Sequence, residues 1–276
     1  MKKDNCIKTP EDIDWVYFWS EKLKQKIDRN KDWDKAAPHF GKSAKRDDYH
    51  TRFIQELDLS KEDSVLDLGC GEGSITLPIA KKVKAVTGID SSEKMLEILN
   101  DKCKKGDIDN VKTIEMDLNN LNVEKLGKFD IVIASRCLNS IVDIGNVLDN
   151  INKIAKKRVY VTLFGPNNWK LEQDFYEKIG KPFNDFPSHD YFFNILINKK
   201  IYPNVLNLNI GKFREYSSIE EACESGKWRR ELLTDKELKI FYEYINKIMV
   251  KNPKTGKYFN PHDKADWVLI WWEKNN

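Results

Sequence analysis

Val65-Leu66-Asp67-Leu68-Gly69-Cys70-Gly71-Glu72-Gly73-Ser74 is the stretch whose reading decides the fold. An apolar run of strand length enters a glycine-rich turn and opens a helix, the place where an open α/β sheet meets a ligand. Gly69 and Gly71 let the backbone turn sharply and come close to a bound molecule. Backbone N–H groups at the helix start favour an anionic group such as a carboxylate.

Outward from this turn, short Val- and Ile-rich runs recur at 64–68, 85–90, 111–116, 129–135 and 158–164, separated by segments long enough for crossover helices. Ile144, Val147, Leu148, Ile151, Ile154 and Ala155 repeat at helical spacing, as do Met95, Ile98, Leu99 and Cys103. The expected fold class is α/β: a doubly wound, Rossmann-like, mostly parallel sheet, with N-terminal helices and helical insertions forming a lid. Residues 1–58 read as an N-terminal helical cap, with Trp15, Phe18, Trp19 and Leu23 on one stripe. Residues 59–166 read as the cofactor-binding core and 167–204 as an aromatic helical lid. Residues 205–276 supply two late strands, 205–210 and 267–272, around a helical insertion at 217–250. Thr234-Asp235-Lys236-Glu237 is a capping-box pattern opening a helix with Leu238, Phe241, Ile245 and Ile248 on one face.

Composition narrows the class. The chain has 276 residues, 40% hydrophobic and 33% charged, as in ordinary globular proteins. Lys plus Arg number 47 against 44 for Asp plus Glu, and a net charge of +3 does not by itself call for a polyanionic partner. The basic clusters at 81–84, 199–200 and 227–230 read as solvated helix ends and loop edges. Five scattered cysteines, with no C-x-x-C pair, read as reduced thiols and supply no metal site. No leader-like apolar region or membrane-length run is present, so the expected location is cytoplasmic with no membrane partner.

The glycine spacing alone fits either a dinucleotide or an amino-acid-bearing cofactor. Charge separates them: Asp67 and Glu72 would repel a pyrophosphate, whereas Asp67 would attract an ammonium, directly or through water. Asp90 ends a strand about 20 residues beyond the glycines, where a carboxylate can accept from ribose hydroxyls. Asp117 ends the next strand and could accept from an adenine amino group beside the Leu118 backbone N–H. Taken singly, each aspartate also suits a helix N-cap or turn.

With Val65 to Gly73, Gly88-Ile89-Asp90, Met116-Asp117-Leu118 and Phe129-Asp130-Ile131-Val132-Ile133-Ala134-Ser135 in this order, the sequence resembles the class I S-adenosylmethionine-dependent methyltransferases over about residues 30–165. The resemblance implies S-adenosyl-L-methionine as cofactor and a seven-stranded sheet with an antiparallel last strand. It implies that Asp67, Gly69, Cys70 and Gly71 line the methionine part, and that Asp90 and Ser91 hold the ribose. Asp117 and Leu118 would hold the adenine, Met95 would pack on it, and Ser135 and Arg136 would lie beneath the sulfonium. Trp33 to Phe40 resembles a segment that closes over the cofactor, making Trp33 and Phe40 cover residues. Asn139, Phe192 and Phe193 are expected to face a small, partly apolar acceptor; Arg136, which with Asn139 follows the fourth strand, is expected either to face that acceptor or to pair with a nearby carboxylate.

Methyl transfer from a sulfonium is an in-line displacement, so alignment and water exclusion supply much of the acceleration. A catalytic base is optional, and none of His39, His50, His189 and His262 is assigned to that role. Ser135-Arg136-Cys137-Leu138-Asn139 stands where amino-methylating nucleic-acid enzymes of this family carry Asn/Asp-Pro-Pro-Tyr/Phe/Trp, which disfavours nucleic acid as the partner. The alternatives are an RNA or protein methyltransferase, a nicotinamide-dependent oxidoreductase, and a non-catalytic cofactor-binding module.

Overall fold

In the computed structural model of the chain, which describes residues 9–24, 33–35, 37, 48–183, 185–225, 233–262 and 264–274, the predicted strands join one sheet. They are β1 (Ser64–Leu68), β2 (Ala85–Asp90), β3 (Val111–Glu115), β4 (Phe129–Ser135), β5 (Ala155–Phe164), β6 (Asn204–Leu208) and, after a small hairpin of β7 (Val250–Lys251) and β8 (Tyr258–Phe259), β9 (Trp267–Glu273). Their order is β3-β2-β1-β4-β5-β9-β6. β1 to β5 run parallel, and β9 lies antiparallel between β5 and β6. The two late strands therefore meet as the resemblance implied, although the helical insertion separates them in the chain. β5 begins at Ala155, three residues earlier than the apolar run, because Ala155 pairs with Phe129 across an irregularity in the β4–β5 ladder.

Side chains alternate between two covered faces, as the strand period of two requires. Leu66, Leu68, Val132, Ala134, Val159, Val161, Val268 and Ile270 share one core with helices α1 (Trp15–Lys24), α6 (Ile144–Ile154) and α8 (His189–Asn198). Val65, Ile131, Ile133, Tyr160 and Leu269 share the other with α2 (Tyr49–Gln55) and α3 (Thr76–Ala80). Between β2 and β3 runs α4 (Glu93–Lys105), which buries Met95, Leu96, Leu99 and Cys103. α5 (Val123–Leu126) precedes β4.

Helix α1 is fixed by Trp19, whose Nε1 donates to the Ile141 carbonyl at 2.7 Å. Trp15, Trp19 and Leu23 follow a four-residue step, whereas Phe18 turns away from it and is 46% exposed, outside the predicted stripe. A separate small core joins α7 (Lys170–Lys178), α9 (Ile219–Glu224) and α10 (Asp235–Ile248) through Phe175, Tyr176, Cys223, Phe241 and Ile245. The Thr234–Glu237 capping box opens α10 as its sequence predicts. The β7–β8 hairpin was not predicted, since two-residue strands leave no periodic signal. Among the described residues no helix is long and apolar enough to cross a membrane.

Candidate functional site

The loop after β1 is held at a left-handed backbone by its glycines, with φ of +62° at Gly69 and +53° at Gly71. A Cβ at Gly69 would stand 2.5 Å from the Cys137 Cβ, so the turn after β4 closes on this loop. A Cβ at Gly71 would meet nothing within 4 Å, so the loop opens onto space there. Cys70 continues the sheet edge, its N–H donating to the Ile89 carbonyl at 2.9 Å.

Asp90, at the end of β2, ties this loop to the next helix. Its Oδ2 accepts from the Gly71 N–H at 2.8 Å and its Oδ1 from the Ser92 N–H at 2.9 Å. Burial pushes its carboxyl up against these stabilising bonds, and Asp34 adds to the rise. Ser92 caps α4 through the Met95 N–H at 3.2 Å and donates to Asp34 Oδ1 at 2.6 Å. The segment that carries Trp33 is thereby anchored over the β2 end, with Trp33 itself 42% exposed. Ser91 is exposed beside Asp90, and Met95 is buried one turn into α4.

Asp67 is buried beneath the loop and accepts from Thr76 Oγ1 at 2.6 Å. Burial, opposed by Thr76 and reinforced by Asp90, raises its carboxyl from 3.8 to about 7. Burial also pushes up the Cys70 and Cys137 thiols, with Asp67 and Asp90 adding to it, so neither is an activated nucleophile. Asp117 caps a short turn through the Asn119 N–H at 2.9 Å while remaining exposed, and Leu118 is buried in the core.

The end of β4 is tied to α2, β5 and β9. Tyr49, fully buried on α2, bonds through its hydroxyl to Ser135 Oγ at 2.8 Å and to Thr162 Oγ1. Arg136 has φ of +59°, and its N–H donates to Thr162 Oγ1 at 3.1 Å. From this backbone turn the guanidinium reaches rings on α2 and at the start of β9. Its Cζ lies 4.1 Å from the Tyr49 ring centre and 5.3 Å from that of Trp267. Asn139 is 5% exposed, and neither its amide oxygen nor its nitrogen has a hydrogen-bond partner. Phe192 is fully buried against Trp19 and belongs to the core rather than to a site wall; Phe193 is half-buried beside the same core. Phe40 lies outside the described residues.

The structure thus brings Gly69, Cys70, Gly71, Asp90, Ser91 and Met95 together at the β1–β2 edge. It adds Asp34 and Cys137 there and, at the ends of β4 and β5, Tyr49 and Thr162, all of which the sequence reading missed. Thr162 had a signal, a hydroxyl inside the otherwise apolar run of β5; Tyr49 had none, since its partners lie 86 and 113 residues away. Past β5, Phe164, Trp169, Phe186 and Trp267 form an aromatic wall with ring centres 4.7 to 5.8 Å apart.

Comparison with known proteins gives this arrangement its class. Residues 59–223 match the family described as methyltransferase domain. The chain belongs to this family and is a class I S-adenosylmethionine-dependent methyltransferase. An uncharacterized protein of Haemophilus influenzae is 28% identical over 244 residues, spanning 87% of this chain and 88% of that one. Putative methyltransferase 235L of Invertebrate iridescent virus 6 is 31% identical over 183 residues, 60% of this chain and 62% of that protein. In fold, the chain is similar to coclaurine N-methyltransferase bound to N-methylheliamine and SAH, with a TM-score of 0.55 at 14% identity, over 98% of this chain and 89% of that one.

The residues present fit such a cofactor. Gly71 leaves the space that a side chain would fill, and the amide of Asn139 is orphaned at the turn facing the glycine loop. A buried amide without partners is costly unless a ligand completes it.

Proposed function

We propose that this methyltransferase carries the methyl group to a small, partly apolar acceptor held over the carboxyl ends of β4 and β5. The observation that carries this reading is the aromatic wall of Phe164, Trp169, Phe186 and Trp267, which gathers past the carboxyl end of β5 and the start of β9, at the end of the sheet where ligands of open α/β folds bind. When bound, S-adenosylmethionine supplies an electrophilic methyl on a sulfonium.

The chain's own residues supply position and shelter. Gly69, Cys70 and Gly71 would lie along the methionine part, with Asp67 below attracting its ammonium through the loop. Asp90 and Ser91 would hold the ribose, Asp117 and Leu118 the adenine edge, with Met95 against the ring and Trp33 as a cover. Asn139 would orient a polar atom near the transfer line, and the aromatic wall would exclude water from it. The thiols stay protonated, and no side chain is required to form a covalent intermediate.

The coclaurine N-methyltransferase likeness, a small-molecule enzyme by its bound ligand, supports this acceptor class. Matches to the 23S rRNA methyltransferase RlmD of Aliivibrio salmonicida cover only 13% of that protein and lend little to an RNA acceptor. Isothermal titration with S-adenosylmethionine and S-adenosylhomocysteine, repeated on Asp90→Ala, tests the cofactor seat. Micromolar-range binding that weakens on the order of tenfold or more in the variant is expected, as for loss of a charge-assisted contact. Unchanged binding by Asp90→Ala would overturn that seat.

A further inference from the structure

Arg136 is the residue whose surroundings the cofactor does not explain. Its left-handed φ of +59° is uncommon for a bulky side chain, and such strain collects at functional sites. The guanidinium is held from three sides: over the Tyr49 ring, over the Trp267 ring, and by His50, whose Nε2 lies 3.0 Å from Arg136 Nη2. Because guanidinium only donates, His50 accepts at Nε2 and is neutral with its proton on Nδ1. No carboxylate pairs with Arg136 among the described residues. A second donor waits beside it: Trp267 is 7% exposed, and its indole Nε1 has no hydrogen-bond partner.

A partly buried cation with rigid aromatic support, a neutral histidine in place of a counter-ion, and an orphaned N–H nearby form a donor set that lacks an anion. Its position in the sheet indicates whose anion. Gly69, Asp90 and Asp117 follow β1, β2 and β3, whereas the guanidinium leans over β9, three strand spacings from β1. At about 4.8 Å per spacing that is roughly 14 Å, on the side of the sheet opposite to the ribose and adenine seats. The aromatic wall continues directly from Trp267 through Phe164, with centres 4.7 Å apart.

We propose that Arg136 reads an anionic group on the methyl acceptor, with Trp267 Nε1 as a second donor, so that the acceptor is a small acid with an apolar body. This rests on the small-acceptor reading above and narrows it. Arg136 is a specificity residue here, and the atom that is methylated is a separate matter.

The test uses the full chain saturated with S-adenosylhomocysteine and titrated calorimetrically with benzoate, phenylacetate, indole-3-acetate and octanoate, each beside its primary amide. At least one acid should bind on the order of tenfold or more tighter than its amide, as a charge-assisted pair provides. Arg136→Gln should abolish that preference, and Arg136→Lys should retain part of it, while S-adenosylhomocysteine affinity stays within about threefold in both. Arg136→Gly, which removes the left-handed strain, guards against a folding artefact: it should melt cooperatively yet show no acid preference. The proposal is overturned if acids and amides bind alike, if no acid binds, or if Arg136→Gln weakens S-adenosylhomocysteine instead, which would place the guanidinium on the cofactor's carboxylate. Failure of the wild type to bind S-adenosylhomocysteine at all would instead sink the underlying reading.

Discussion

Alanine at Gly69 and at Gly71 should separate folding from binding within a single loop. Both residues are left-handed, so each substitution costs about 1–2 kcal/mol from the backbone alone. At Gly69 the new methyl also stands 2.5 Å from the Cys137 Cβ, adding about 1–3 kcal/mol of overpacking. Gly69→Ala should therefore lose about 2–5 kcal/mol in urea unfolding, a large share of the roughly 5–15 kcal/mol typical of a domain. Gly71→Ala, with nothing within 4 Å of its methyl, should lose only the backbone part. That methyl enters the open space at the loop, where the proposed cofactor seat lies, so S-adenosylhomocysteine affinity should fall on the order of tenfold or more, as for a ligand pushed out of register. Cys137→Gly in the Gly69→Ala background should recover the overpacking part and leave the backbone part. Equal destabilisation by the two alanines, or full cofactor affinity in Gly71→Ala, would refute the reasoning.

Two further outcomes follow from buried polar groups. Because the carboxyl of Asp67 rises from 3.8 to about 7 on folding, the unfolded chain releases this proton first, and stability falls as pH rises between those values. The full shift corresponds to at most about 4 kcal/mol, so Asp67→Asn should reduce the difference in urea midpoint between acidic and mildly alkaline buffer, and an unchanged difference would count against it. Asn139→Leu removes an orphaned buried amide and should keep or raise stability, by up to about 2 kcal/mol, while lowering turnover. Thermal melts beside an S-adenosylhomocysteine-release assay would show this, and a destabilised variant with normal turnover would argue for simple packing.

Much of the fold was legible along the chain because its signals are local. The strand-turn-helix at Val65 to Ser74, the apolar stripe of Ile144 to Ile154 and the capping box at Thr234 each depend on spacing within one or two turns. The aspartates ending β2 and β3 were legible for the same reason, since a parallel sheet brings successive strand ends to one edge. That Arg136 faces an acceptor or pairs with a carboxylate was open from the sequence, but which neighbours hold it was not legible. Its direction depends on a positive φ, a Thr162 hydroxyl 26 residues away and the rings of Tyr49 and Trp267, all contributed by distant elements. Nor could the chain alone tell that Phe192 is core, since an apolar residue on a helix has the same periodicity whether it faces a ligand or Trp19. The sequence by itself determined the doubly wound sheet and the strand ends where the cofactor seat is proposed, because hydrophobic period and glycine turns act locally. Only tertiary packing decided the proposed acceptor side, where side chains from α2, β4, β5 and β9 meet and no short-range pattern records which will touch.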